Sequence, residues 1–232
     1  RVATAAALVL VMATTVGGYA AAMHAGDTDL GRKAASMVTS PGWDGYTALG
    51  ATSMSVTMLL AVGVVMSWST GREFIDGTVV GLFAIPSRLG IIAAAKMAVV
   101  LTWATILGAV EAGALTTAGL LLGLGPEGAA GCCTTLMLVA ALLGASVLPV
   151  MWAATRWRGY LAGIGLTLVI LVVANLAAGF GLGSYVPWSV PIVWASHQTE
   201  VSTPLLATPV MTAAIGAWVT LRSWDRLQLG AD

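Results

Sequence analysis

Residues 161–180 read LAGIGLTLVILVVANLAAGF, twenty positions without a charged side chain. Runs of this kind recur along the chain and limit its folds more than any other feature. A backbone in hydrocarbon must satisfy its own N–H and C=O groups, which only helices and closed barrels achieve. One helical crossing takes about 20 predominantly apolar residues. Six runs meet that length, at about 2–23, 46–68, 91–118, 129–154, 160–180 and 204–221. The third stays apolar to Leu124; it therefore ends near Ala118 or tilts across the membrane. A barrel would show alternating strands of about ten residues instead. The expected fold class is all-α, a polytopic membrane protein with six transmembrane helices in one domain covering 1–232.

Composition agrees. Of 232 residues, 58% are hydrophobic and 9% charged, with a mean hydropathy of +0.92. Soluble domains carry about 25% charge, so this chain cannot cover itself with a soluble surface. A net charge of zero without basic runs speaks against nucleic acid as a partner. Cys132 and Cys133 are adjacent, a poor geometry for a disulfide, and are expected as small packed apolar residues. The chain starts at Arg1 and enters the first run at once. We expect residues to precede it. Arg1, the run and GYAAAMHAG also resemble a signal peptide, but the run is long enough to cross by itself.

The basic residues give an orientation. Arg1, Arg72, Arg88, Lys96, Arg156, Arg158, Arg222 and Arg226 fall on one side of the expected bundle. The other side holds Arg32 and Lys33, beside Asp27, Asp29 and Asp44. Eight against two is a positive-inside pattern, so both termini are expected in the cytoplasm and the protein in the plasma membrane. Trp43, Trp68, Trp157, Trp188, Trp194 and Trp224 lie near span ends, where interfacial anchors belong. No self-similarity relates the first three spans to the last three, which weighs against a secondary transporter built from repeats.

Catalytic signatures are absent. There is no G-x-x-x-x-G-K-[ST] phosphate loop, no G-x-S-x-G elbow and no H-E-x-x-H helix. No catalytic residue, metal ligand or bound cofactor is therefore expected in this chain. His24 and His197 fall in or near loops on the outer side, and their spacing does not demand a haem or metal. Glu111 lies 15 residues beyond Lys96 in the third span, about 22 Å further along a helix. An ionisable residue at that depth is costly and usually faces the bundle interior. Three readings stand: a place at the outer interface, a hydrogen bond to a neighbour such as Asn175 or a threonine, or a place on a transport pathway. Pro149 and Pro209 are expected to kink their spans, and SYVPWSVPIVWASH is too proline-rich for a regular helix.

The segment between spans two and three, GREFIDGTVVGLFAIPSR, is unlike an ordinary connector. It holds Arg72, Glu73, Asp76 and Arg88 in a chain with few charges. Phe74, Ile75, Val79, Leu82 and Phe83 recur at roughly helical spacing. Glu73 and Asp76 would occupy the first turn of such a helix, where negative charge suits the dipole. Pro86 would end it. The expectation is an amphipathic helix over about 72–85 on the cytoplasmic membrane surface.

Glu73, then Gly77-Thr78, then Pro86-Ser87-Arg88, with Lys96 opening the next span, resembles the connector of type-2 ABC exporter permeases. These include bacterial drug, lantibiotic-immunity and polysaccharide exporters. The six-span plan and PWSVPIVW before the last span are also similar to that family. The resemblance implies that the connector is a coupling helix docked on a cytoplasmic ABC ATPase, present in two copies, which binds ATP and Mg. It implies a second permease subunit, identical or related, with the pathway at the interface, and an export role in multidrug or peptide-antibiotic resistance. Arg72, Glu73, Asp76, Gly77, Thr78 and Arg88 are the coupling candidates, with Glu73 first, either as a contact or as a support for the helix. Arg88 and Lys96 are expected to anchor at lipid headgroups by snorkelling. Glu111 and Asn175 are the pathway candidates. By the same resemblance, SYVPWSVPIVWASH forms a short outer re-entrant or interfacial element that caps the pathway, and the amphipathic elbow helix usual before the first span has no room here. The alternatives are a haem-binding redox anchor, an immunity or sensor protein, and an intramembrane enzyme using Glu111.

Overall fold

The computed structural model describes residues 2–24, 28–29, 32–33, 38, 40–196 and 201–228. The described chain is a helical bundle without a strand. Its helices are α1 (Val2–His24), α2 (Trp43–Ile75), α3 (Val79–Leu82), α4 (Leu89–Leu121), α5 (Ala129–Ser146), α6 (Pro149–Arg156), α7 (Tyr160–Gly179), α8 (Val190–Ser196) and α9 (Ala207–Asp225). Six stretches are long and apolar enough to cross a membrane.

Two of the helices outrun a bilayer. α2 and α4 have 33 residues each, about 50 Å against a hydrocarbon core of about 30 Å. Each is therefore long enough to reach beyond it, and the connector, with α3, joins the last turn of α2 to the first turn of α4. We call this the connector end of the bundle. α2 is the central post, packing on α1, α4, α5, α6, α7 and α8. Its buried side is rich in small residues, which lets neighbouring backbones approach closely. A methyl group on Gly71 would overlap the backbone of Tyr160 at the start of α7.

Several expectations change at element ends. The third run forms one uninterrupted helix, α4, rather than stopping near Ala118. The fourth breaks at Val147-Leu148 into α5 and α6, because Pro149 has no N–H to continue the ladder. The freed carbonyl of Ser146 accepts the Trp188 indole N–H at 2.9 Å. Pro209 does not kink its span. It sits in the first turn of α9, where a missing N–H costs nothing. A 3₁₀ turn, Thr203–Leu206, precedes that helix. Pro191 likewise falls in the first turn of α8, so part of SYVPWSVPIVWASH is helical. α8 packs on α2 and α5 at the far end of the bundle.

The tryptophans divide into groups. Trp68 and Trp157 are exposed at the connector end, as interfacial residues should be. Trp224 is not: it is fully buried, donates to Thr155 Oγ1 at 2.9 Å and stacks edge-on against Phe74. Trp43 donates to Gly125 O at 2.7 Å. Both cysteines are free.

α6 turns into α7 through a Schellman arrangement, Arg158 N–H to Thr155 O and Gly159 N–H to Ala154 O. Arg158 occupies the left-handed position usually given to glycine, with φ 48°. It is the one non-glycine residue with positive φ among those described.

Candidate functional site

α2 does not end before the connector; it carries the connector's first charges. Arg72 and Glu73 lie in its last turn and Asp76 caps it. The expected helix over 72–85 is thus corrected: its first residues belong to α2, and only Val79–Leu82 form a separate helical turn. Gly77 explains the break, because it turns the chain at φ 69°, a conformation glycine adopts without penalty. The remaining peptide groups close successive tight turns as far as Ile85. Pro86 and Ser87 then bend the chain, and Arg88, with an extended backbone, leads into α4. Glu73 consequently stands near the C-terminus of a helix, where the dipole disfavours negative charge.

A cation compensates. Lys96 Nζ lies 2.5 Å from Glu73 Oε1 and donates to Ser69 O at 2.8 Å. Both side chains of the pair are mostly buried, 19% and 15% exposed. Ser69 and Glu73 are one helical turn apart, so Lys96 grips two points on α2 from α4. Lys96 is therefore an internal tie in this structure and not a free snorkelling residue. Glu73 Oε2 is buried without a hydrogen bond among the described residues.

A second tie closes the other side of the connector, and no sequence signal singled it out. Asp225, the last residue of α9, accepts the backbone N–H of Gly90 at 3.0 Å. Its carboxylate meets the first turn of α4, where four N–H groups lack helical partners and negative charge is favoured. An acid directly between basic Arg222 and Arg226 was the available clue. The connector is thus pinned where it leaves α2 and where it enters α4.

Between the pins the chain is open. Asp76, Gly77, Thr78, Val80, Gly81 and Phe83 to Arg88 are all exposed, as is Arg72. Arg72 stacks over the Trp68 ring at 4.5 Å. Thr78 Oγ1 reaches Glu73 O at 3.4 Å. Val80 is 57% exposed and Ile85 48%, so the segment that carries Asp76 and Arg88 also exposes apolar side chains. Of the coupling candidates, Glu73 alone is turned inward.

The pathway candidates are apart from this surface. Glu111 is fully buried and neither carboxylate oxygen has a hydrogen-bond partner among the described residues. The outer-interface reading is overturned. Gly108, one turn before it, packs on Ala140 and Met58, and the Leu115 carbonyl one turn later accepts the Tyr46 hydroxyl at 2.8 Å. Glu111 thus shares the face of α4 that meets α2 and α5. Asn175 is not its partner: its amide donates to Leu171 O at 2.9 Å, and its oxygen accepts from Ser55 at 3.5 Å. His24 is exposed at the end of α1, its Nδ1 3.2 Å from Ala20 O, and His197 lies outside the described residues.

No curated protein and no solved structure matches this chain. The sequence profile of a family described as ABC-2 family transporter protein matches residues 2–174. That range takes in α1 to α6, the connector, both partners of the Lys96–Glu73 pair and most of α7. Covering well over half of the chain, it shows that the protein belongs to the ABC-2 transporter family, as a permease.

Proposed function

We propose that the protein is the membrane-spanning subunit of an ATP-driven exporter, and that Asp76–Arg88 is its docking surface for the ATPase. Family membership makes it a permease subunit of an ABC transporter that associates with an ABC ATPase subunit. The finer reading rests on one observation: an exposed connector tied at both ends, by Lys96 to Glu73 and by Asp225 to Gly90, between two 33-residue helices. A force applied to a slack loop would be absorbed by it. A force applied here passes through Lys96 and Asp225 into α2, α4 and α9 together.

In this reading Asp76, Gly77, Thr78, Arg88 and the apolar Val80 and Phe83 meet the ATPase, with Arg72 at the edge. Glu73 braces the surface from behind. ATP and Mg are bound by two ATPase copies, whose closure moves the connectors of two permease subunits and switches a pathway at their interface. The cytoplasm is then at the connector end and the bilayer is the plasma membrane. Glu111 and Asn175 meet the pathway only in a state where α4 or α7 moves away from α2. The chain itself performs no covalent step.

The test is co-purification with its cognate ABC ATPase subunit, with ATP hydrolysis measured in lipid. Asp76→Arg and Val80→Glu should abolish co-purification and stimulation while leaving the fold intact. Undiminished binding in both variants would remove the connector from the interface.

A further inference from the structure

A cavity of about 520 Å³ opens at the far end of the bundle, between the first turns of α2 and α5 and the last turn of α8. That volume suits a small organic molecule. Its polar lining is unusual in a chain with so few charges. Asp44, Thr47, Thr134, Thr135 and Ser196 face it, with Trp43 and Ala195 among its apolar walls. No lysine or arginine occurs in residues 34–71, 97–155 or 159–221, so α2 up to its last turn, α5 and α8 bring no basic side chain to it. The hydroxyls define what it can hold. Thr134 Oγ1 donates to Ala130 O at 2.9 Å, and Ser196 Oγ to Ile192 O at 3.0 Å. Their protons are spent on their own helices, which leaves lone pairs for an occupant. Trp43 likewise spends its indole N–H on Gly125 O, and the Thr47 hydroxyl meets the Cys132 thiol. Thr135 is 9% exposed, and its hydroxyl has no hydrogen-bond partner among the described residues. Asp44 is exposed in the first turn of α2, where the helix dipole favours a carboxylate. No ion pair joins it to another described residue.

We propose that this cavity binds a small primary amine with an apolar body, its ammonium taken by Asp44 and the lining hydroxyl oxygens and its body set against Trp43 and Ala195. An ammonium carries three donors and no acceptor, which matches a lining of one carboxylate and hydroxyls whose protons are already committed. Hydrogen bonds between such a cation and a carboxylate are among the stronger ones in proteins. Thr135 supports the assignment independently of the charge, because buried hydroxyls normally find a partner and this one faces the cavity. An anion fits poorly. The N-terminus of α5 would attract it, yet it would meet the Asp44 carboxylate and no basic side chain. The site lies at the opposite end of the bundle from the connector, so it stands whichever way the docking proposal falls.

The experiment uses the full chain in dodecyl maltoside, with radiolabelled 2-phenylethylamine counted by scintillation proximity. The wild type should bind it saturably, and 2-phenylethanol, its neutral counterpart, should displace it at least about tenfold less well than the unlabelled amine. Asp44→Asn should weaken binding by about tenfold or more. Thr135→Val keeps the shape and removes the unpartnered hydroxyl, so it should weaken binding about threefold to tenfold while thermal stability without the amine holds or rises. Asp29→Asn removes an exposed acid already paired with Arg32 and should change nothing. Phosphatidylethanolamine added to the micelles separates the two sources of such a group: displacement assigns the site to a lipid ammonium, and its failure assigns the site to a soluble amine. Absence of saturable binding by the wild type, or displacement by 2-phenylethanol as readily as by the amine, would overturn the proposal. So would undiminished binding in both Asp44→Asn and Thr135→Val.

Discussion

Glu73 and Lys96 show how much a single pair can decide. The lysine lies mostly buried between two acceptors on α2, so removing it leaves a carboxylate and a carbonyl short of a donor. Hydrogen bonds to charged groups are worth about 1.5–3 kcal/mol, and an abandoned partner costs more than a neutralised one. Lys96→Met should therefore destabilise the detergent-solubilised protein by about 2–3 kcal/mol. Glu73→Gln still accepts from Lys96 and should cost about 1 kcal/mol. Thermal unfolding of both singles and the double variant should reveal coupling between them; strict additivity would mean that the pair does not exist in the protein. Glu111 argues the other way. With no partner for either oxygen, its carboxyl contributes no described contact that leucine would lose. Glu111→Leu should hold or raise thermal stability by about 1–2 kcal/mol, and a pathway role would appear as altered transport in a well-folded variant. A large loss of stability would instead reveal a structural partner.

Elements were legible in the sequence to different depths, for physical reasons. The long apolar runs announced the spans because hydrocarbon leaves a polypeptide few solutions, and α1, α5 and α7 begin within a residue or two of expectation. Their ends were harder: α2 continues as a helix through polar positions such as Arg72 and Glu73, where hydropathy falls but backbone hydrogen bonding does not, and α4 runs on past Ala118 to Leu121. The connector showed the opposite error: Phe74, Ile75, Val79 and Phe83 have helical spacing, yet Gly77 turns the chain between them. Pro209 was misjudged because a proline's effect depends on its distance from the helix start, which periodicity does not locate. Contacts between distant elements, such as Asp225 with Gly90 and Trp224 with Thr155, are set by packing and have no local signal. The α2–α7 contact allows a further check. A Cβ on Gly71 meets the Tyr160 backbone, which cannot rotate away, whereas one on Gly81 meets open space. Gly71→Ala should cost about 1–3 kcal/mol through overpacking, and Gly81→Ala should be neutral within about 0.5 kcal/mol.

At the scale of the whole molecule, the charge asymmetry and the shape of the bundle make the same demand. The basic residues Arg72, Arg88, Arg156, Arg158, Arg222 and Arg226 gather at or just beyond the connector end, and positive charge is retained on the cytoplasmic side during insertion. The opposite end carries Asp44 and Glu127. An ATPase reaches its nucleotide only in the cytoplasm, so docking at the connector requires this orientation. The two ideas stand or fall on one topology measurement. In a background with Cys132 and Cys133 replaced by alanine, Glu127→Cys and Ser87→Cys place single thiols at exposed positions on opposite ends. A membrane-impermeant maleimide added to intact cells should label Glu127→Cys and spare Ser87→Cys until the membrane is opened. With the ATPase co-expressed, Ser87→Cys should then become protected in opened membranes, and Asp76→Arg in the same chain should restore its labelling. Labelling of Ser87→Cys from outside would invert the bundle and end the coupling proposal; correct topology without protection would leave the bundle in place and move the ATPase contact elsewhere.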